Sequence, residues 1–554
     1  MNKEKAKKIF NQIWSLRDTW EPVWKELAEY LLPTRGSFNS TDDRKQGGKK
    51  IDAKKIIDST PVKAVKTLSA GMMGGLTSPS LRWFFLRIKG LDEDYGDPRW
   101  RWLHEVQEIL ENVLDGAGIY NALHNFYQEI SVFGTAAFFI EQDAKTVIRA
   151  VPLTIGEYAI DVDERGKPCR VVRKINMTNW QLKSAFGEDN LPEKIKQELN
   201  EKRYDIEHTV YHLITPNTNR DVRKKDNRNM PYLSLYWMSG LNNDGFLRQS
   251  GYEEFPLVCA RWDVKNDSEV YGKGPGWEVL GDVKMLQRME KTALVVLDKT
   301  TNPPVMVSSS VQGVLNLNPG GVNRYSGTTD PGVKPVYQVN LDFNALMAKI
   351  QNVEQRVNSM FFVDLFLMLA GTDMGQMTAT EVQARQQEKM MVLGPVLQRL
   401  KEELLDVMLE RVFNICWRAG LLPEPPEEMQ DNQLDVEYVS VIAQAQKNAN
   451  VQTIAQGIGL AQNWAQTDPT VLDYVDFGAA LQEAFKAMGA PAKMIRPKNE
   501  VAQIREQRAL QQQAAMQMEQ AHVLVNGAKT LSETQVGTGS ALDMLGAAIN
   551  EGAQ

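Results

Sequence analysis

The apolar positions of this chain follow a helical period, then a strand period, then a helical period again. In residues 1–32, Ile9, Ile13, Leu16, Trp20, Trp24 and Leu27 recur at helical spacing until Pro33 stops the run. Residues 34–50 are polar and Gly-rich and read as an exposed loop or arm. Helical patterning resumes over 53–75 and again over 99–132, where Trp102, Val106, Ile109, Leu110 and Val113 share a face. From 134 to 262 the runs shorten and become rich in β-branched and aromatic residues. Strands are predicted at Ala136–Glu141, Val147–Val151, Tyr158–Val162, Arg170–Ile175, Ile206–Ile214, Tyr232–Met238 and Phe255–Arg261, with a hairpin turn at Asp163-Glu164-Arg165-Gly166.

After Pro275 the pattern predicts a helix over 277–300. A Pro/Gly/Ser-rich segment with short β-like runs follows, from Asn302 to Gln338. A second long helix is expected over 342–369, with Leu346, Ile350, Val353, Val357 and Met360 on one face. A third, over 379–418, opens with Thr378-Ala379-Thr380-Glu381, a capping box in which the Thr378 hydroxyl meets the Glu381 N–H while the carboxylate reaches back. Gly394-Pro395 is expected to kink it, and Gly420 and Pro423 to end it. The remainder reads as mostly helical, closing on a Gln/Ala/Met-rich run (Ala509 to Ala521) and a Gly-rich tail. The fold class expected is α+β and predominantly helical.

Composition narrows the function classes. The 554 residues allow two to four domains, and the net charge of −7 disfavours a protein built for tight, general DNA binding. Cys169, Cys259 and Cys416 lie far apart, which fits neither a disulfide framework nor a metal cluster and suits a reducing compartment. The opening residues lead into an amphipathic segment rather than a signal core, and the most apolar stretch, Met360 to Ala370, is short and carries Asp364, so no membrane span is expected.

The search for chemistry is mostly negative. A phosphate loop needs Ser or Thr after its Lys, and Gly272-Lys273-Gly274-Pro275-Gly276 has Gly there and a Pro that removes a donor; a helix-entry turn is the better reading. His208 and His212 share a strand face, but no second metal-ligand signature accompanies them. Asp161, Asp163 and Glu164 mimic a nuclease carboxylate cluster, although a solvated hairpin turn explains them better. No nucleophile elbow or dinucleotide fingerprint occurs. No catalytic residue, metal or cofactor is predicted, and the chain does not read as an enzyme. Trp83, Phe84 and Phe85 read as core rather than as a partner pocket. One charge pattern remains. On the helix after Trp277, Lys284, Arg288, Lys291 and Lys299 fall at about 0°, 40°, −20° and 60°, a narrow basic stripe opposite Met285, Leu286, Met289, Ala293, Val296 and Leu297. It is either a solvated face or a face turned to a polyanion, and Asp298 dilutes it.

Five stretches stand in order along the chain: Ser69-Ala70-Gly71-Met72-Met73-Gly74-Gly75-Leu76-Thr77-Ser78-Pro79 with Trp83-Phe84; Phe133-Gly134-Thr135-Ala136-Ala137 with Ile140-Glu141; Arg261-Trp262 with Tyr271-Gly272-Lys273-Gly274-Pro275; Pro303-Pro304; and Met377-Thr378-Ala379-Thr380-Glu381-Val382 with Gly420-Leu421-Leu422-Pro423. Together they resemble the portal, or head-to-tail connecting, proteins of short-tailed, podovirus-type bacteriophages, a family that more often has Arg at position 273. Beyond about residue 430 the resemblance thins. It implies a ring of twelve subunits at one capsid vertex of the virion, assembled in the host cytoplasm. Double-stranded DNA would be pumped through the channel by the terminase large subunit and later leave through it. It further implies a division into N-terminal helices and α+β wing (1–276), stem helices (277–301 and 342–369), clip (302–341), tunnel loop (370–378, with Gly371, Thr372, Asp373, Met374, Gly375 and Gln376), a long kinked wing helix (379–425), crown (426–497), and a C-terminal barrel helix with flexible tail (498–554). A tail adaptor would sit at the clip, major capsid and scaffolding proteins at the wing, and DNA against Lys284, Arg288, Lys291 and Lys299. Tyr271 to Pro275, Thr378, Thr380 and Glu381 would be structural.

Two other classes stay open at this stage. A metal-dependent nuclease using Asp161 and Asp163 predicts Mg²⁺-dependent cleavage, and a scaffold or minor capsid protein predicts assembly without DNA contact.

Overall fold

A computed structural model of the chain describes residues 1–33, 56–88, 98–221, 223–224, 226–240, 245–266, 268–301, 305–307, 314, 316, 333–335, 342–369, 392–427, 434–438, 454–487 and 498–532. Two compact units are distinguishable. One comprises Met1–Leu86, Glu105–Glu424 and Val436–Lys447; the other comprises Arg87–His104, Pro425–Asp435 and Asn448–Gln554. The fold is α+β and mostly helical.

In the first unit, α1 (Lys3–Asp18) and α2 (Glu21–Leu31) replace the single N-terminal helix that the pattern predicted. The break falls at Thr19–Trp20, because Pro22 belongs in the first turn of a new helix, where its missing N–H costs nothing. Helix α3 (Thr60–Leu76) follows. The 99–132 pattern is also divided, into α4 (Pro98–Gly116) and α5 (Ile119–Phe133), at Gly118, whose φ of +67° suits glycine.

Every strand expected between 134 and 262 is present, and three described strands lie outside the expected set. Strand β1 spans Phe84–Ile88, β8, Arg248–Tyr252, has no apolar alternation to announce it, and a strand at Leu434–Tyr438 falls where the pattern predicted mostly helix. Strands β2 (Thr135–Asp143), β3 (Val147–Pro152) and β9 (Leu257–Arg261) form one antiparallel sheet in the order β3-β2-β9. Strands β4 (Tyr158–Val162), β5 (Pro168–Thr178), β6 (Glu207–Pro216), β7 (Tyr232–Met238) and β8 form a five-stranded meander. Its two faces are buried differently. Ala159, Val172, Leu213, Leu235 and Trp237 pack on Ala6, Phe10 and Ile13 of α1. Val210, Tyr236 and Met238 pack on Leu182, Ile195 and Leu199 of two short helices that the sequence reading missed, α6 (Asn179–Phe186) and α7 (Glu193–Asn200).

Helix α8 (Pro275–Thr301) and helix α9 (Phe343–Met360) are the long pair, and between them β10 (Val305–Val307) pairs antiparallel with β11 (Val333–Pro335). Asp342 caps α9 by accepting the Ala345 N–H at 3.1 Å. The continuous helix expected over 342–369 does not form. It stops at Met360, Phe362 adopts φ +54°, and α10 (Val363–Leu369) starts anew. A straight continuation would carry Asp364 onto the Ile350–Val353–Val357 stripe; the break instead buries Phe361 and Leu365. Phe366 then lies against Gly71 of α3, where its ring occupies the space that a Cβ would need.

From 392 to 418 the chain is helical, and its irregular turn is a π segment at Lys401–Leu405, six residues beyond Pro395, ahead of α11 (Asp406–Arg418). Gly420, at φ +69°, closes it, with the Leu421 N–H returning to the Cys416 carbonyl at 3.1 Å. In the second unit a helix covers 454–465, a 3₁₀ turn spans Pro469–Tyr474, and α12 (Phe477–Ala487) and α13 (Lys498–Ser532) follow. The Gln/Ala/Met-rich run is thus part of one 35-residue helix. Among the described residues no helix is long and apolar enough to cross a membrane.

Candidate channel helix and its supporting junction

Pro275 opens α8 with its φ already set for a helix. The 27 residues make a rod of about 40 Å. Its first two thirds are anchored in the unit through Val279, Val283, Leu286, Gln287 and Ala293. Beyond Ala293 the helix projects, and Leu294 and Leu297 are 50% and 52% exposed. The apolar side predicted from the pattern therefore divides: Leu286 and Ala293 are buried, Met285, Met289 and Val296 partly so, and Leu297 is at the surface. The basic stripe divides as well. Lys284 is held by Glu26 of α2 at 2.6 Å, so its charge is largely answered by its own chain. Arg288, Lys291 and Lys299 are exposed and form the outward basic edge.

Helix α9 packs antiparallel beside α8, pinned where Arg356 donates to Asp282 at 2.9 Å. Across the same groove, Gln287 clamps the chain ahead of α3. Its Oε1 accepts the N–H of Ile57 (2.7 Å) and Asp58 (2.9 Å), while its Nε2 donates to the Asp58 carbonyl (2.8 Å). Glu290 of α8 and Glu354 of α9 stand beside Asp58. Burial raises both carboxyls above the ordinary range, the Asp58 charge adds to the shift in each, and Glu290 adds further to that of Glu354.

The junction that seats α8 is built from glycines. Gly134, at φ +80°, ends α5 and meets the 272–276 turn backbone to backbone: a Cβ on Gly134 would lie 2.5 Å from the Gly272 oxygen and the Gly274 nitrogen. Reciprocally, a Cβ on Gly274 would lie 2.6 Å from the Ile130 oxygen, and one on Gly276 2.5 Å from the Val132 oxygen. Hydrogen bonds close the seam: Gly272 N–H to Thr135 Oγ1 (2.9 Å), Trp262 N–H to the Gly134 carbonyl (2.9 Å) and Trp277 Nε1 to the Phe133 carbonyl (2.9 Å). Tyr271 is fully buried against Trp24 and accepts the Ile160 N–H at 3.2 Å. Lys273 lies over the rings of Trp20 and Trp277, at 6.0 and 5.8 Å from their centroids. The Gly-Lys-Gly-Pro-Gly run is thus a packing device: its glycines meet the 130–134 backbone, and the Lys273 N–H donates to the Asp263 carbonyl at 2.9 Å.

Arg261, on β9 and 3% exposed, pairs with Glu403 of the π segment at 2.7 Å and also donates to the carbonyls of Gly166 (2.6 Å) and Glu269 (2.9 Å). This ties the sheet, the hairpin turn and the last long helix of the unit to one guanidinium. No sequence signal joins two residues so far apart.

The other candidates have structural occupations. His208 donates to Glu198 at 2.8 Å, whereas His212 is fully buried, stacked on Tyr236 and bonded to Ser234 Oγ at 3.0 Å. Burial, then Arg173 and Arg248, holds His212 well below the ordinary imidazole range, so the two histidines share no ligand. Asp161 pairs with Arg170 at 3.0 Å, and the Asp163 carboxylate accepts the N–H groups of Arg165 and Lys167 in the hairpin turn. Among the described residues no group of three or more His, Cys, Asp or Glu is placed to hold a metal. Burial pushes the Cys169 and Cys416 thiols up to about 11 and Cys259 to about 12, away from nucleophilic thiolates. Trp83 and Phe84 are buried. Gly371 to Gln376, Thr378, Thr380, Glu381 and the 34–50 arm lie outside the described residues.

A family model described as the bacteriophage head to tail connecting protein matches residues 3–495. The chain belongs to that family. The match continues well past residue 430, where the sequence motifs thin out, and so takes in most of the second unit. Among the connecting proteins, the chain is 38% identical over 544 residues to the portal protein of Salmonella phage epsilon15, covering 98% of this chain and 97% of that one. It is 36% identical over 527 residues to a protein named as a probable portal protein of Bordetella phage BPP-1, covering 95% and 94%. Among solved structures, a chain in the neck of an empty gene transfer agent particle shares 12% identity at a TM-score of 0.36, covering 72% of this chain and 86% of that one. One in the neck of the native particle also shares 12%, at 0.36, covering 76% and 91%. Membership of the connecting-protein family rests on the sequence matches.

Proposed function

We propose that the chain is a portal subunit, twelve copies of which close into a ring at one vertex of the virion capsid. Double-stranded DNA enters through the ring, driven by the terminase large subunit, and later leaves by the same route. The ring forms in the host cytoplasm, meets a tail adaptor at its clip, and contacts major capsid and scaffolding proteins at its wing. The supporting observation is the antiparallel α8–α9 pair, which leads into and out of the β10–β11 ladder, in a chain of the connecting family. In this reading α8 and α9 are the stem, 302–341 the clip, 370–378 the tunnel loop, 426–497 the crown and 498–554 the barrel and tail. The wing is the α+β part that precedes α8.

The chemistry required is a slippery wall. A rod of about 40 Å lies along about 24 duplex charges. Twelve copies at −7 each carry −84, a background that repels the polyanion. Against it, a few basic groups per subunit (Arg288 and Lys291, with Lys299 toward the clip) give weak, sequence-blind contacts. Strong pairing of every stripe would clamp the duplex, since even 6–10 phosphate contacts make affinity change by about 10³–10⁵ with salt. The role requires no bond-making step, and the aspartates that a nuclease would use are bound to Arg170 and to turn amides. Particles assembled without this chain are expected to contain no packaged genome, and complementation in trans restores it. Filled particles in its absence overturn the proposal.

A further inference from the structure

The connection between β6 and β7 is a basic loop, described at all positions but Val222 and Lys225. Residues 217–230 contain five basic residues, Arg220, Arg223, Lys224, Lys225 and Arg228, against two acidic ones, a local +3 in a chain of −7. Its carboxylates are turned to internal work. Asp221 Oδ1 accepts the Arg223 N–H at 3.1 Å, and Asp226 accepts from the Asn229 side chain. Asn217 Nδ2 donates to the carbonyls of Arg228 (3.2 Å) and Met230 (3.1 Å), and the Asp221 N–H donates to Asn229 Oδ1 (3.2 Å). The loop is seated on edge strand β8 at Gly251, where a Cβ would lie 2.7 Å from the Asn227 oxygen and from Met230 Cβ. While the acids and amides hold the loop's shape, Arg220, Arg223 and Arg228 are exposed, and none is ion-paired among the described residues; the one ion pair here is the long Lys224–Asp221 contact at 3.9 Å.

We propose that this loop is a second DNA-contact site, distinct from α8, that binds the phosphate backbone of duplex DNA. The proposal rests on the portal reading above, which brings packaged duplex to the chain. Charge complementarity selects the occupant: three guanidinium groups on a preorganised scaffold suit phosphate oxygens, which they meet as forked donors and with little ordering cost. Nothing in the loop presents an element to a groove, so binding is sequence-blind.

The test is binding of a labelled duplex of about 30 base pairs by the full-length protein, read by fluorescence anisotropy between about 50 and 200 mM salt. The triple variant Arg220→Gln, Arg223→Gln, Arg228→Gln is expected to bind at least about 10-fold more weakly at the low-salt end, with the log–log salt slope reduced by about 2 to 3. Replacing the same three residues by Lys is expected to keep the slope. Wild-type affinity and slope in the Gln variant overturn the proposal. So does binding of poly-glutamate with no binding of duplex, which would mark the loop as a site for an acidic protein. Negative-stain images of the same preparations separate the two readings: rings with unchanged DNA binding sink only this site, whereas absence of rings in the wild type sinks the portal reading.

Discussion

Gly134 and Gly274 meet without a side chain between them, and a Cβ on Gly134 would stand 2.5 Å from the Gly274 nitrogen. The contact fixes where α5 stops and where α8 starts, so the direction of the long helix is set by two turns more than a hundred residues apart. Gly134→Ala adds a clash with backbone to a left-handed φ of +80°. The expected cost is about 3 kcal/mol or more, from overpacking together with the strain of a side chain in that region. Thermal melts and the yield of soluble protein measure it.

The Arg261–Glu403 pair gives a second test. Both groups are largely withdrawn from solvent, and Arg261 keeps its carbonyl partners when the carboxylate goes. Glu403→Ala therefore leaves a buried guanidinium without its counter-charge, and a loss of about 3–5 kcal/mol is expected in chemical denaturation. An exposed pair such as Lys196–Glu193 is expected to show almost none when cut in the same way.

The Asp58, Glu290 and Glu354 group makes stability depend on pH. Raised carboxyls mean that the folded state binds protons more tightly than the unfolded chain. The contribution is full below the unfolded value of 4.5 and is lost as pH rises through the raised folded values. Glu354→Gln removes one of these charges. Its melting temperature is expected to match the wild type near pH 4.5 and to exceed it increasingly toward neutrality. A constant difference across the range contradicts the shared-charge account.

The basic edge of α8 is tested by DNA length. Lys284→Ala, Arg288→Ala and Lys291→Ala together are expected to alter the length of packaged DNA or its retention in filled particles, most of the effect coming from Arg288 and Lys291, because Lys284 already answers Glu26. Unchanged packaging and retention in the triple variant remove the assigned role.

How much was legible beforehand differs by kind of residue. Strands such as Tyr232–Met238 were readable because a short run of aromatic and apolar residues marks a strand buried on both faces, and Pro275 announced α8. Strand β8 was not, since Arg-Gln-Ser-Gly-Tyr carries no alternation; β7 and the loop seated on Gly251 create its place. Helix α6 had an overlooked signal, the Thr178–Gln181 capping box. The break at Phe361–Phe362 has no Gly or Pro to mark it and follows from where Asp364 would otherwise fall. The family motifs were visible as glycines and aromatics, but their purpose, contact between distant turns, appears only once both turns are placed. The stripe positions were legible from helical spacing, but the partner that occupies Lys284 comes from α2, which no local pattern discloses.

The central claim is that copies of this chain close around a hole. Electron microscopy of the purified full-length protein tests it most directly: the expected image is a closed annulus with an open centre wide enough for duplex DNA, and a preparation that stays monomeric, or forms only solid particles, contradicts it.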